Sequence, residues 1–430
     1  WDMDPRRFGK WASGDYAIAK SVDEYEQMYQ PHLPGEFREA GRPTRVTPLY
    51  EPLKEAGALY GDSFGWERAR WYAAKNEKEN YSFRRNNSFT AVAEECKAVR
   101  ERVGLTDLTS FSKYEVSGKG AQGFLERLCA NRVPIKAGGI VLSQMLTEKG
   151  GIESEATIAC LAENHYYLLS AAVAELHDFD WLVQHIKKGE DVSVNNVTED
   201  FGVLLLTGPI SRDVLSTLTK ADLTNGSGFT WMRAKEISVS GIPVRALRVS
   251  YVGELGWELH CPMPRLAELH DALMQAGGPH GICRFGTYAM NSLRMEKAYK
   301  GWGSELTTEI SLVESDMLRF ARKTGGYIGA DVVESKKRNG VPIHLVYCEV
   351  DTVDADPMGN EPVLDGDKII GITTSGAYGH YVKKSLAFAY VDAGYDKAGT
   401  IFEIQNLGKK ISAKVLGEAV WDPDNKRLKG

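Results

Sequence analysis

The sequence lacks the features that mark nucleic-acid-binding and membrane-spanning proteins. Its 52 Lys and Arg residues are outnumbered by 58 Asp and Glu residues, and the net charge of -6 supplies no basic field for a polyanion. No run of roughly 18 apolar residues exists, and residues 1–16 lack the charged-then-apolar layout of a signal peptide. We therefore expect a cytoplasmic protein without a nucleic-acid or membrane partner.

Paired cysteines and the common nucleotide and hydrolase motifs are also missing. None of the six cysteines forms a CxxC pair, and the nine histidines show no metal-ligand spacing, so we expect reduced thiols and no metal site. No GxGxxG at a strand-to-helix junction, GxxxxGK[ST] or GxSxG occurs, which leaves dinucleotide, nucleotide-phosphate and serine-hydrolase sites unsupported. The first residue is Trp1, so we expect that something upstream is missing.

The 430 residues are enough for roughly two or three domains, and the local patterns divide them. Residues 1–85 have turn signals every few residues, which indicates a packing collar or an interdomain connector. Residues 86–335 interleave helical and strand patterns without a regular β-α-β period, which favours an α+β fold over a doubly wound sheet. Residues 336–430 read as short strands with turns, typical of a small antiparallel barrel or jelly roll.

Several elements of the middle region have clear signatures. The EKGG turn at 148–151 predicts a β-hairpin. A helix is predicted from Ser88, as its cap, to a stop at Gly104. Further amphipathic helices are predicted at 175–187, 264–275 and 288–299.

The stretch YVGELGWELH at 251–260 reads as a tight turn that feeds a strand. Glycines flank Glu254, and alternation then puts Trp257 and Leu259 on one face and Glu258 and His260 on the other. A carboxylate next to a glycine without a side chain is a good place for a flat, hydrogen-bonding ligand. The alternative interpretation is a hairpin whose glutamates face water.

A second pair of carboxylates, Glu153 and Glu155, follows a glycine turn in GGIESEAT. Alternation puts both on one strand face. Two neighbouring carboxylates can raise each other's pKa and do acid/base work, or can simply face water.

These motifs, in order, resemble the folate-binding aminomethyltransferase family, typified by the glycine cleavage T-protein. The resemblance is closest to the version fused behind the flavin domain of dimethylglycine and sarcosine dehydrogenases and oxidases. It runs through VGLTDLTSFSKYEVSGKGAQGFLERL, EKGGIESEATI, LLLTGPISRDVL, RVSYVGELGWELHCP, YAMNSLRMEKAYKGWGSEL and GITTSGAYGHYVKKSLAFAYV. The segments before residue 85 resemble the connector that follows the flavin domain.

The resemblance implies a three-domain cloverleaf around a folate channel, with a carboxyl-terminal antiparallel β-barrel. It implies tetrahydrofolate as the cofactor, which would capture a methylene from an oxidised N-methyl amine to form 5,10-methylenetetrahydrofolate. FAD is expected only in the missing upstream half, so the implied partners are the folate, the amine and a flavin domain or subunit. The alternatives are a stand-alone folate-dependent O- or S-demethylase and a non-catalytic folate-binding module.

The resemblance also assigns site residues. The family's pterin-binding carboxylate falls on Glu258 and its neighbouring tyrosine on Tyr251, with Glu254 and Tyr288 as further cofactor-binding candidates. The catalytic aspartate of the family falls on Glu155. Glutamate keeps the charge but moves the carboxylate by about 1.5 Å.

A further departure from the cleavage T-protein lies in the predicted helix at 288–299. The T-protein has an arginine where this chain has Met290, and YAMNSLR resembles the dehydrogenase branch instead.

Overall fold

The computed structural model describes residues 4–74, 77–226 and 228–430, and it has the α+β architecture that the sequence predicts. The α-helices are α1 (Gly14–Glu26), α2 (Tyr50–Glu55), α3 (Ser88–Glu101), α4 (Ala121–Leu128), α5 (Glu175–Gln184), α6 (Ser211–Ser216), α7 (Leu266–Gly277), α8 (Thr287–Glu296), α9 (Ala330–Asn339) and α10 (Lys426–Lys429). The first strands are β1 (Ala58–Ser63), β2 (Trp66–Tyr72), β3 (Gly104–Asp107), β4 (Ser112–Ser117), β5 (Ile140–Leu146), β6 (Ile152–Ala162), β7 (His165–Ser170), β8 (Ser193–Asn196) and β9 (Phe201–Thr207). The remaining strands are β10 (Ala234–Val239), β11 (Ile242–Leu247), β12 (Gly256–Pro262), β13 (Cys283–Arg284), β14 (Ile343–Val350), β15 (Pro362–Asp365), β16 (Lys368–Gly379), β17 (Lys384–Asp392), β18 (Ile401–Asn406) and β19 (Lys409–Val415).

A five-stranded antiparallel sheet with the order β5-β6-β7-β4-β8 forms one wall of the molecule. One face packs against α4 and α5 through a core that includes Phe124, Ile158 and Leu182. The β5–β6 hairpin turns at the EKGG sequence, which confirms that prediction. Its register pairs Gln144 with Glu155 directly across the two strands.

A six-stranded sheet with the order β10-β11-β12-β9-β3-β13 forms the second wall. Its neighbours are antiparallel except for β13, which runs parallel to β3. Trp257 on β12 is fully buried against the core that α6 and α7 cover, as alternation predicts. The opposite face carries Val203 and Leu205 of β9, which pack with α3 and α8.

The last sheet is a closed antiparallel barrel with the order β14-β17-β16-β15-β18-β19. Pairing between β14 and β19 closes it, so the structure has a barrel in place of the jelly-roll alternative. The two-stranded hairpin β1–β2 is separate from these sheets.

Residues from Leu49 onward pack into the molecule, within the segment that we predicted to be a packing collar or a connector up to residue 85. Leu49, Leu53 and Ala58 are buried in the same core as Trp257. The aromatic-rich sequence around β1–β2 conceals this, because its turns interrupt the periodicity by which buried strands are recognised.

Helix α3 matches its prediction in position but not in its cap. Asn87 occupies the N-cap without a side-chain cap bond, and Ser88 is the first helical residue. The Asn86 side chain accepts hydrogen bonds from both the amide and the hydroxyl of Ser88. The helix ends at Arg102, and Gly104 already begins β3.

Arg100, at the end of α3, ties distant parts of the fold together. Its side chain is fully buried, 2.7 Å from Glu296 of α8 and 3.1 Å from Glu254 in the turn before β12. The other oxygen of Glu296 accepts hydrogen bonds from the backbone amides of Tyr381 and Val382 in the barrel region. One guanidinium therefore connects two helices of the second wall with the turn before β12 and, through Glu296, with the barrel region.

We predict that Arg100→Met destabilises the protein by about 3 to 5 kcal/mol, because two buried carboxylates lose their cation. Urea unfolding measures this change. Lys97→Met is the control, since Lys97 lies on the same helix but is exposed. Equal losses in the two variants would contradict the role of Arg100.

Candidate functional site

The two walls face each other, and their facing sides meet at a small apolar contact. Ala159, Tyr167 and Leu169 of the five-stranded sheet pack against Leu247 of the six-stranded sheet. Beside this contact, the Tyr167 hydroxyl lies 3.1 Å from Nδ1 of His260 on β12. Strand alternation puts Glu155 on the face of Ala159 and Glu258 on the face of His260. Both predicted carboxylates therefore line the space between the walls, which we call the recess.

Glu258 is enclosed but has few partners. Only 16% of its side chain is exposed, and the nearby side chain of His260 has its Nε2 3.5 Å from Oε2. Within the described ranges of the chain, no donor makes a hydrogen bond to its carboxylate. Burial raises the pKa of Glu258 to about 7, although the charge of Lys113 acts in the opposite direction. A buried carboxylate with free acceptor positions is suited to bind a ligand with parallel N–H donors.

Lys113 on β4 is a site residue that the sequence reasoning missed. It is fully buried, and its Nζ donates to the carbonyls of Thr109 (2.6 Å) and Phe111 (2.7 Å). Burial lowers the pKa of Lys113 to about 7, while Asp107 and other acids, including Glu258, raise it. The β4 sequence SKYEVS alternates polar and apolar residues with Lys113 on the polar face, so it gave no signal that this lysine is buried.

Glu155 on β6 is half-buried and held from the neighbouring strand. The Gln144 amide donates to its Oε1 at 2.7 Å. Burial raises the pKa of Glu155 to about 7, against the hydrogen bond from Gln144 and the charge of Lys300. Gln144 was not predicted, although the β5–β6 register places it directly opposite Glu155. A carboxyl with a pKa near neutrality can take and return a proton at physiological pH.

Tyr251 is close enough to Glu155 for the charge of that carboxylate to act on it. Burial raises the pKa of Tyr251, and the negative charge of Glu155 contributes to that shift. The Tyr251 hydroxyl donates to the Lys300 carbonyl at 3.0 Å, and its ring stacks on Tyr299. Two residues after Lys300, the indole of Trp302 donates to the Glu153 carbonyl at 3.0 Å. The 299–302 loop thereby joins Tyr251 to the strand of Glu155.

Glu153 is not a partner of Glu155. Its carboxylate lies 2.8 Å from His177 Nε2, and the other ring nitrogen of His177 lies 2.9 Å from Asp178. Burial opposes the charge on His177, but the hydrogen bonds to Asp178 and Glu153 outweigh it and raise the pKa of His177 to about 9. The raised pKa of Glu155 comes from burial, whereas Glu153 is held in an ion pair.

The structure does not bring Glu254 or Tyr288 to the recess. The Glu254 side chain is 1% exposed, and its oxygens lie 2.8 to 3.2 Å from donors of Arg100, Trp421 and Arg427. The Tyr288 hydroxyl donates to Glu79 at 2.8 Å. Glu254, which lies between the turn glycines, therefore belongs to an ion-pair network. Its contacts do not favour the predicted role in ligand binding.

The fold is that of an aminomethyltransferase. A crystal structure of the glycine cleavage system aminomethyltransferase T from Bartonella henselae superposes with a TM-score of 0.77 at 23% identity, over 88% of this chain and 98% of that one. The model of the GCVT N-terminal domain matches residues 49–324, and that of the glycine cleavage T-protein C-terminal barrel domain matches residues 344–422. The chain belongs to the glycine cleavage T-protein family.

Two mitochondrial dehydrogenases and a bacterial aminomethyltransferase are also similar to this chain. Human mitochondrial dimethylglycine dehydrogenase is 39% identical over 99% of this chain and 50% of the relative, and human mitochondrial sarcosine dehydrogenase is 28% identical over 96% and 50%. Aminomethyltransferase from Bacillus pumilus (strain SAFR-032) is 30% identical over 86% of this chain and 96% of the relative. The model of the FAD dependent oxidoreductase central domain matches residues 1–47. The chain spans about half the length of the two dehydrogenases.

Two further findings concern the described residues only. They contain no group of three or more His, Cys, Asp or Glu side chains that could hold a metal ion. None of their helices combines the length and apolar content that crossing a membrane requires.

Because its pKa is raised, Glu258 is predicted to lower the stability of the folded protein at pH values where the carboxyl is ionised. Its ionised form is disfavoured in the folded state, so stability falls as pH rises from the ordinary carboxyl pKa toward about 7. We expect Glu258→Gln to be more stable than the parent by about 1 to 3 kcal/mol at pH 8, and the difference to shrink toward zero at pH 5. Urea unfolding at both pH values measures this.

The control for this experiment is Glu163→Gln, which changes an exposed carboxyl in the turn after β6. We expect no pH-dependent difference between that variant and the parent. A Glu258→Gln variant that is less stable than the parent at pH 8 would contradict the prediction.

Proposed function

We propose that the recess binds tetrahydrofolate and that the chain transfers a one-carbon unit to it from an oxidised N-methyl amine of the dimethylglycine or sarcosine type. The product is 5,10-methylenetetrahydrofolate. The observation that carries this proposal is the Glu258 carboxylate, which is buried between the walls with no hydrogen-bond donor of the described chain on it. The family and the names of the dehydrogenase relatives support the choice of ligand and amine.

Glu258 fits the edge of a pterin for a simple chemical reason. The aminopyrimidinone edge offers two parallel N–H donors, and an ionised carboxylate accepts both in one plane. Lys113 favours the ionised form of Glu258. When bound, the folate supplies the nucleophilic nitrogens that accept the one-carbon unit.

Glu155 is the proposed acid/base residue. Its pKa of about 7 lets it accept a proton from an amine and return it near neutral pH. The hydrogen bond from Gln144 fixes one oxygen, so the other is the one directed to substrate. Enclosure between the walls also keeps bulk water from an iminium donor, which limits its hydrolysis to formaldehyde.

The test is calorimetric titration with tetrahydrofolate combined with a transfer assay. The assay supplies an iminium donor formed from formaldehyde and sarcosine and measures 5,10-methylenetetrahydrofolate above the uncatalysed rate. We expect Glu258→Gln to weaken binding at least tenfold, because a neutral amide accepts fewer hydrogen bonds from two N–H groups. We expect Glu155→Gln to bind normally and to lose about a hundredfold or more in transfer rate.

Other outcomes separate the alternatives. Full transfer by Glu155→Gln would favour a non-catalytic folate-binding module. Transfer from a methyl ether or thioether in the absence of an amine would favour an O- or S-demethylase. Unchanged affinity in Glu258→Gln, with Glu163→Gln as the matched control, would overturn the folate site itself.

We also propose that α1 docks on a flavin oxidoreductase domain that produces the oxidised amine. One face of α1 and the segment after it exposes Ile18, Val22, Tyr25 and Tyr29, with between 54% and 91% of each residue accessible. A stripe of large apolar residues at helical spacing marks an interaction surface. The match of residues 1–47 to a FAD dependent oxidoreductase central domain supports this choice of partner.

We predict that Val22→Glu with Tyr25→Glu abolishes association with a separately expressed flavin domain of the dimethylglycine dehydrogenase type, because two charges enter an apolar contact. Sedimentation velocity of the mixture measures the complex. The control is Val353→Glu with Ile369→Glu, which alters exposed apolar residues of the barrel region instead. A complex that survives the α1 changes would contradict the proposal.

A further inference from the structure

Behind Glu258 lie two buried polar side chains, Tyr167 and His260, that none of the proposed steps uses. Tyr167 and His260 are both fully buried, on opposite walls of the recess. The Tyr167 hydroxyl lies 3.1 Å from His260 Nδ1, and His260 Nε2 lies 3.5 Å from Oε2 of Glu258. Nε2 has no hydrogen-bond partner within the described part of the chain. A buried ring nitrogen that points at a carboxylate in this way calls for a physical explanation.

The surroundings of His260 determine which nitrogen carries the proton. Burial and the nearby positive charges of Lys113 and Arg245 lower the pKa of His260, so the ring is neutral and has one N–H. If the Tyr167 hydroxyl donates to Nδ1, the proton must reside on Nε2. That tautomer places an N–H toward the ionised Glu258, whereas the other would place a lone pair there.

We propose that His260, with its tautomer fixed by Tyr167, is a positioning residue for Glu258. Its Nε2–H holds one side of the carboxylate and leaves the remaining acceptor positions open toward a flat ligand with parallel N–H donors. The 3.5 Å separation is longer than an ordinary hydrogen bond, and such contacts are often long before the ligand binds. This inference rests on the proposed folate site and adds how its carboxylate is oriented.

The charged groups near Tyr167 and His260 do not replace the contact between His260 and Glu258. The Arg245 guanidinium lies over the Tyr167 ring at 4.3 Å, but Glu115 engages it at 3.1 Å. Glu115 also lies 3.2 Å from His165. Lys113 donates to two backbone carbonyls. Lys113 and Arg245 are thus engaged elsewhere, whereas Nε2 of His260 lies 3.5 Å from the Glu258 carboxylate.

The test is Tyr167→Phe, which removes one hydroxyl and keeps the ring. We expect tetrahydrofolate to bind about three- to tenfold more weakly at pH 7, the effect of one hydrogen bond. Binding requires ionised Glu258 and is lost as pH falls, so the midpoint of that loss should move to higher pH when the donor to the carboxylate is no longer held. Calorimetric titration from pH 5.5 to 8.5, a range of about three units around neutrality, measures both.

Tyr166→Phe is the matched control, because Tyr166 is the adjacent buried tyrosine on the opposite face of β7. We expect it to change neither affinity nor midpoint. In the Glu258→Gln background, Tyr167→Phe should cause no further loss of affinity, since its effect acts through that carboxylate. An unchanged midpoint in Tyr167→Phe, or an equal loss in the Glu258→Gln background, would overturn the inference.

A second pair of variants keeps the inference testable if Tyr167→Phe folds poorly. His260→Gln retains an N–H donor near the position of Nε2, whereas His260→Leu does not. We expect the Gln variant to keep clearly more affinity than the Leu variant, and equal affinities would overturn the inference. If Glu258→Gln itself binds tetrahydrofolate as tightly as the parent, the proposed function fails instead.

Discussion

The cost of keeping carboxylates away from water is the constraint on which this structure depends. Glu155 and Glu258 both lie in the recess, and burial raises the pKa of each to about 7. By contrast, Glu254 and Glu296 are more deeply buried but fully engaged by Arg100 and other donors. The structural carboxylates have hydrogen-bond and ion-pair partners for both oxygens, whereas those of the recess have few partners. This difference is typical of functional sites.

The buried carboxylate of Glu305 links the barrel to the loop beside the recess. Glu305 accepts from the Gly301 amide at 2.7 Å, from Arg294 of α8 at 3.2 Å, and from Ser375 of β16 at 2.6 Å. These bonds fix the loop that carries Lys300, whose charge acts on Glu155. The position of the barrel and the electrostatics of the recess are therefore linked through one side chain.

Strand alternation predicted the local part of the site well. It separated Trp257 from Glu258 on β12, and the structure confirms that the first is core and the second is not. It could not show that Glu254 and Glu258 have different partners, because Arg427, which contacts Glu254, comes from the far end of the chain. Lys113 and Tyr167 were missed for the same reason, since only tertiary packing brings them to Glu258.

The resemblance implies a catalytic aspartate where this chain has Glu155, and the residue opposite on the hairpin accounts for how the longer side chain is held. A glutamate has one more rotatable bond than an aspartate, and an unrestrained carboxylate would lose its position relative to a reacting nitrogen. Gln144 is fully buried and donates to Oε1 at 2.7 Å, so the longer side chain is held at its end. The β5–β6 register places the two residues opposite each other, and the pair can therefore act as one positioned acid/base unit.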